Sequence, residues 1–145
     1  MPFSIRFLDE GDDDARYGEI RLGDFGERFL ANLSFWSEAE YERQWRDAVG
    51  RILSAEDAVS ALITSTGDPS DTAGVMWWTM YRQGALIQVQ NHICFFDQLP
   101  EPFDLADPYR SVPPHRRVGE DGEAISEWTV TVAEVESFAS SSTSR

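Results

Sequence analysis

The sequence predicts an α+β protein: a mainly antiparallel sheet of about five or six strands, one long helix packed on a face, and a short C-terminal helix. Three observations carry that expectation. Apolar residues alternate with polar ones in several short runs bounded by turn residues. One long segment, Ser37 to Leu53, has apolar residues at helical spacing. The connection between two neighbouring strand segments is too short for a parallel crossover.

Phe3, Ile5 and Phe7 alternate with Ser4, Arg6 and Leu8, the pattern of a half-buried strand that the acidic block Asp9, Glu10, Asp12, Asp13 and Asp14 should end. Tyr17 to Leu22 reads as a weaker strand, and Gly23, Asp24 and Gly26 mark a turn before the apolar stretch FLANLSFW. The helix starts at Ser37, whose hydroxyl can accept from the Glu40 amide while Glu40 reaches back to the Ser37 amide, with Trp36 packing on Tyr41 as a hydrophobic staple. Tyr41, Trp45, Ala48, Val49 and Ile52 form its buried stripe; Glu42 with Arg46, and Asp47 with Arg51, sit one turn apart on its solvated face. Gly50 weakens the last turn by about 1 kcal/mol relative to Ala.

Val59 to Ser65 is a strand closed by the loop TGDPSD. Gly74 to Arg82 is apolar on both faces, as a central strand should be. After the tight connection at Gln83 and Gly84, the strand Ala85 to Phe96 places Ile87, Val89, Ile93 and Phe95 on one face and Gln88, Gln90 and His92 on the other. Five prolines make residues 97–117 a long structured loop. Glu120, Asp121 and Gly122 read as a hairpin tip, and Ser126 to Val130 as a strand with Trp128 and Val130 inward. Thr131 and Glu134 open a short helix whose stripe is Val135, Phe138 and Ala139. The 145 residues fit one domain, with the acidic segment 1–17 and the tail 140–145 as its flexible parts.

Charge is the other strong signal. The chain carries 26 acidic side chains and 12 basic ones, a net −14, yet residues 58–96 hold only Asp68, Asp71 and Arg82. The negative potential therefore comes from the flanking segments. It repels nucleic acid and anionic membrane, and it attracts a basic protein surface at long range. All the cations are Arg, which suits the many carboxylates. A single cysteine, no long apolar run and no signal-peptide pattern make the cytoplasm the expected compartment.

Catalytic constellations are sparse. His92 and Cys94 share a strand face but lack two further soft ligands, so no metal site is expected, and no cofactor motif appears. The block Asp9 to Asp14 lacks the spacing of a calcium loop. An alternative reading, a small-ligand module or a small hydrolase, would require a pocket joining His92, Cys94 and one carboxylate, or an exposed Trp at 77 or 78.

The stretches LSFWSEAEYERQWRDAVGRIL, VMWWTMYRQGALIQVQNHICFFDQL and VPPHRRVGEDGEAISEWTV resemble the immunity proteins of contact-dependent growth inhibition systems, over roughly residues 30–132. The most specific parts are Ser37 to Trp45 and Glu120 to Trp128. The resemblance implies a non-enzymatic cytoplasmic protein that binds and neutralises a cognate toxin domain, often a nuclease. A nuclease displays a basic cleft to hold polyphosphate, which an acidic surface can occupy. The candidate contacts are Asp12, Asp13, Asp14, Asp104, Asp107, Glu120, Asp121 and Glu123; oligomeric state is not derivable.

Overall fold

A computed structural model describes residues 2–119 and 121–143. The α+β class holds, and the strands divide into two antiparallel sheets, with seven strands and two helices among the described residues. Strands β1 (Phe3–Gly11), β2 (Ala15–Leu22) and β3 (Phe25–Asn32) form a meander. Strands β4 (Val59–Ser65), β5 (Gly74–Gln83), β6 (Leu86–Phe95) and β7 (Glu127–Thr131) form the second sheet in chain order. The strand the sequence did not announce is β3. Its inward row reads Phe25, Glu27, Phe29, Ala31, and the carboxylate breaks the alternation that would have marked it. β1 also runs on through Asp9 and Glu10 rather than stopping at the acidic block. Arg16 of β2 donates to the Leu8 carbonyl at 2.5 Å and to Asp9 at 3.3 Å, and Arg28 of β3 donates to Glu10 at 2.6 Å, so cross-strand cations offset the clustered charge.

The core lies between the two sheets, and the helices α1 (Glu38–Leu53) and α2 (Val132–Thr143) close it. Phe3 meets Phe138 of α2 edge-on, Phe7 and Phe29 pack on Trp45 of α1, and Phe25 stacks on Trp128 of β7 at 4.3 Å. Gly18 stands directly opposite Phe29 on the inner row of β2, and a Cβ there would collide with the Phe29 ring. The missing side chain is what lets that ring reach α1.

α1 begins as expected. Ser37 Oγ accepts from the Glu40 amide, Glu40 returns to the Ser37 amide, and Trp36 meets Tyr41 at 5.1 Å. The two charge pairs expected on its outer face do not close as ion pairs. Asp47 instead accepts from the Tyr109 hydroxyl at 2.6 Å, and the Arg51 guanidinium lies 4.6 Å from the Tyr109 ring centroid.

The helix packs along β4, the outer strand of its sheet, and satisfies that strand's free edge. The Arg82 amide bonds to the Ala58 carbonyl, so even-numbered residues of β4 face β5 and odd-numbered ones point outward. Gln44 meets this edge with both ends of its amide: Nε2 donates to the Ala61 carbonyl at 2.8 Å, and Oε1 accepts from the Ile63 amide at 2.9 Å. Trp45 donates to the Ile63 carbonyl at 2.7 Å, Arg51 to the Val59 carbonyl at 3.2 Å, and the Tyr41 hydroxyl accepts from the Thr66 amide at 2.9 Å. One helix face thus takes the place of a fifth strand.

Downstream of β6, the proline-rich segment holds only two 3-10 turns, Phe96–Gln98 and Pro108–Ser111. The second buries Tyr109. The hairpin tip forms around Gly122, whose φ of 83° suits glycine, with a bridge between Val118 and Ala124. α2 opens on the expected reciprocal bonds between Thr131 and Glu134. Ser144 and Arg145, the end of the expected tail, lie outside the described residues.

Removing the Gln44 amide strands two buried main-chain groups, each costing about 1–3 kcal/mol when left unpaired. Gln44→Leu should therefore lose about 3 kcal/mol in urea denaturation, with faster exchange of the Ile63 amide, while Arg43→Ala on the exposed face changes stability by less than about 0.5 kcal/mol.

Candidate functional site

The seven described acidic candidates fall on three segments of the chain. Asp12, Asp13 and Asp14 form the β1–β2 turn and are exposed. Asp12 shapes it, because its Oδ1 accepts from the amides of Asp14 at 2.8 Å and Ala15 at 3.0 Å. Asp104 does the same in the proline-rich segment, accepting from the Ala106 amide at 2.9 Å, and Asp107 stands just before the turn at Pro108. Asp121 accepts from the Glu123 amide at 3.1 Å at the hairpin tip, and Glu123 is exposed. Glu120 lies outside the described residues. Among the described residues no hydrogen bond or ion pair joins one of these turns to another. The described acids thus lie on more than one turn of the chain.

His92 and Cys94 share a face of β6, as the alternation requires, beneath the proline-rich segment. Their surroundings form a hydrogen-bonded layer. His92 Nε2 lies 2.8 Å from Gln90 Oε1; Gln90 Nε2 donates to the Arg116 carbonyl at 2.7 Å and to Glu127 Oε1 at 2.9 Å; His115 Nε2 meets the same Glu127 oxygen at 2.5 Å. The Tyr81 ring lies against His115, and its hydroxyl donates to the Pro113 carbonyl at 2.8 Å. These bonds fasten residues 113–116 to the sheet. Burial favours the neutral ring of His92 and lowers its pKa from 6.5, and burial raises the Cys94 thiol to about 11. Burial also acts to raise Glu127, but hydrogen bonds from His115 and Gln90 outweigh it, so the carboxyl sits below 4.5.

Cys94 is therefore a neutral thiol near pH 7, without the thiolate that a cysteine nucleophile needs. Trp77 and Trp78 are both buried, so neither offers an exposed face to a base or a sugar. Among the described residues no group of three or more His, Cys, Asp or Glu is arranged to hold a metal ion. No helix among them is long and apolar enough to cross a membrane.

One surface feature was not anticipated. Ile93 and Phe95 share their face with Ile87 and Val89, as the sequence implies, yet they are 54% and 44% exposed, while Gln88 and Gln90 on the opposite face are buried. The first sheet covers that face only as far as the row of Trp78 and Asn91, where Glu27 accepts from the Asn91 side chain at 3.3 Å. Met76, paired with Ile93, is also exposed. The signal available in sequence was the complete absence of charge from Leu86 to Phe95.

The domain thus combines two antiparallel sheets, acids on its turns and a hydrogen-bonded layer of His92, Gln90, His115 and Glu127. Residues 31–138 match the family model of the CdiI N-terminal domain, and the chain belongs to that family, the immunity proteins of contact-dependent growth inhibition. It is 27% identical over 119 residues to the immunity protein CdiI of Enterobacter cloacae subsp. cloacae, covering 82% of this chain and 81% of that one. Its fold matches a chain of the CdiA-CT/CdiI toxin and immunity complex from Enterobacter cloacae with a TM-score of 0.84 at 24% identity, over 99% of each chain.

The hydrogen-bonded layer has a definite pH signature. A carboxyl whose native pKa is lowered adds stability that is present above its unfolded value and lost as pH falls through the native one; a histidine held neutral by burial behaves the same way. The melting temperature should therefore fall with acidification. His92→Gln should flatten the decline below pH 6.5, and Glu127→Gln the part below pH 4.5; parallel profiles for all three proteins would show that the layer is not linked to protons. Cys94 should resist a thiol reagent at pH 8 in the native protein and react fully once the chain is denatured.

Proposed function

We propose that this chain binds and neutralises a cognate toxin domain of a contact-dependent growth inhibition system, in the cytoplasm, by occupancy and without chemistry of its own. The observation that carries the reading is membership of the CdiI family together with a net charge of −14 whose acids project from several turns. A toxin that cuts nucleic acid needs a basic cleft, and a carboxylate-bearing surface of matching shape blocks it against the substrate.

Asp13 and Asp14 carry no hydrogen bond or ion pair on their carboxylates among the described residues, and they are free to act on a partner. Asp12, Asp104 and Asp121 each hold a turn with one oxygen and leave the other available. With Asp107, Glu120 and Glu123 they supply a field that accelerates encounter.

The test is association kinetics with the toxin fragment encoded beside this protein. A one-to-one complex is expected, with an association rate that falls as salt rises. Replacing Asp12, Asp13 and Asp14 together by Asn keeps the turn acceptor at 12 and should slow association about three- to tenfold at low salt, with little change in dissociation. A salt-independent rate would remove the electrostatic part of the reading, and hydrolysis of a substrate by the purified chain alone would remove the claim that it works without chemistry.

A further inference from the structure

The second sheet treats its two edges differently. The outer edge of β4 is met by Gln44, Trp45 and Arg51 of α1, whereas β7 covers β6 only from Leu86 to Gln90. Beyond Gln90, no strand among the described residues pairs with the far side of β6. The register fixes which groups are left over. The Phe96 amide bonds to the Ala73 carbonyl, so even-numbered residues of β6 face β5; the Val132 amide bonds to the Ala85 carbonyl, so odd-numbered ones face β7. The main-chain N–H and C=O groups of Asn91, Ile93 and Phe95 therefore point off an open edge.

Natural sheets guard such an edge with lysine, proline, a bulge or inward-facing charge. Residues 91–95 read Asn-His-Ile-Cys-Phe and contain none of these. Beside the edge, Met76, Ile93 and Phe95 make an exposed apolar surface on one face of the sheet. Carboxylates stand at both of its ends: Glu27, bonded to the Asn91 side chain, and the exposed Asp97 beyond Phe95.

We propose that the edge from Asn91 to Phe95 is where the cognate toxin domain docks, adding an extended segment of its own as a further antiparallel or parallel strand on β6. The proposal rests on the toxin-binding reading above and names the surface that carries it. Main-chain bonds to residues 91, 93 and 95 would provide the pairing, an apolar side chain of the toxin segment would lie on Ile93, Phe95 and Met76, and Lys or Arg at its ends would meet Glu27 and Asp97. Charge selects this occupant over a second copy of the chain. Two-fold antiparallel pairing would set Ile93 against its counterpart and Asn91 against Phe95, bringing Glu27 of one copy toward Asp97 of the other, between molecules that each carry −14.

Hydrogen exchange on the free chain and on its mixture with the adjacent toxin fragment tests this residue by residue. In the free chain the amides of Asn91, Ile93 and Phe95 should exchange quickly and those of His92 and Cys94 slowly; in the complex the first three should slow at least tenfold. Ile93→Lys, which places the usual guard residue on an already exposed position, should raise the dissociation rate at least tenfold with an unchanged melting temperature, while Leu86→Lys, at an exposed apolar position where β7 already pairs, should not. A complex that forms with the three amides still unprotected would overturn the docking edge and leave the toxin reading standing. No complex at all would overturn both, and protection of the same amides in the free chain with a doubled mass in sedimentation would assign the edge to self-association instead.

Discussion

The architecture depends on how the outer edge of β4 is satisfied. A sheet that ends inside a protein leaves main-chain groups with no water to bond, and each such group costs about 1–3 kcal/mol if orphaned, against a total stability of about 5–15 kcal/mol for a domain of this kind. Here α1 settles the account with side chains. Gln44 reproduces the donor–acceptor pair of a neighbouring strand, Trp45 and Arg51 bond the carbonyls on either side, and Tyr41 binds the Thr66 amide where β4 ends. Because these bonds fix the helix against the strand, they also set the position of Trp45, on which Phe7 and Phe29 of the first sheet pack. The junction between the sheets follows from the same contacts.

Tyr109 extends this arrangement to the proline-rich segment. Its hydroxyl donates to Asp47 and lies 3.3 Å from Gln44 Nε2, so the residue that finishes the β4 edge also anchors residues 108–111. On the other side of the sheet, Gln90 and Glu127 hold residues 115 and 116. The long loop between β6 and β7 is thereby pinned at two places by buried polar bonds, which rigidify a segment that has no regular structure of its own. His92 and Cys94 lie beneath that segment as structural members of the layer.

Local signals were readable where the determinants are local. The capping box at Ser37, the stripe from Tyr41 to Ile52, the two-sided apolar strand containing Trp77 and Trp78, and the box at Thr131 all depend on residues within a few positions of one another. What sequence hid was tertiary. Gln44 falls within the helical stripe by spacing, but its polarity marks it as solvated unless a strand edge is known to lie opposite. Glu27 breaks the inward row of β3 because it sits at the rim of the sheet interface, and that lost alternation left one strand undetected. Alternation placed Ile93 and Phe95 on the face of Ile87 and Val89, but it says which face a residue occupies, not how far the opposing sheet reaches over it. The acids were legible as a field, and the sequence places them on turns.

Their exposure on turns bears on the proposed mechanism. Exposed carboxylates act over about a Debye length, 8–10 Å in physiological salt, so on the proposed reading they attract a cationic surface before contact. Each surface ion pair, however, adds only about 0–1 kcal/mol once formed, whereas a nanomolar complex needs about 12 kcal/mol. Steering and retention therefore call for different surfaces. The retention surface must be apolar, able to form directed bonds, and free of like charge at its centre, and it must lie in a rigid element so that little ordering entropy is lost on contact. The charge-free stretch from Asn91 to Phe95, held on one side by β5 and paired with no strand among the described residues on the other, meets each of those conditions. On the proposed docking the acidic turns do not compete with it for that task, because the effect of charge is largest before contact and that of the edge begins there.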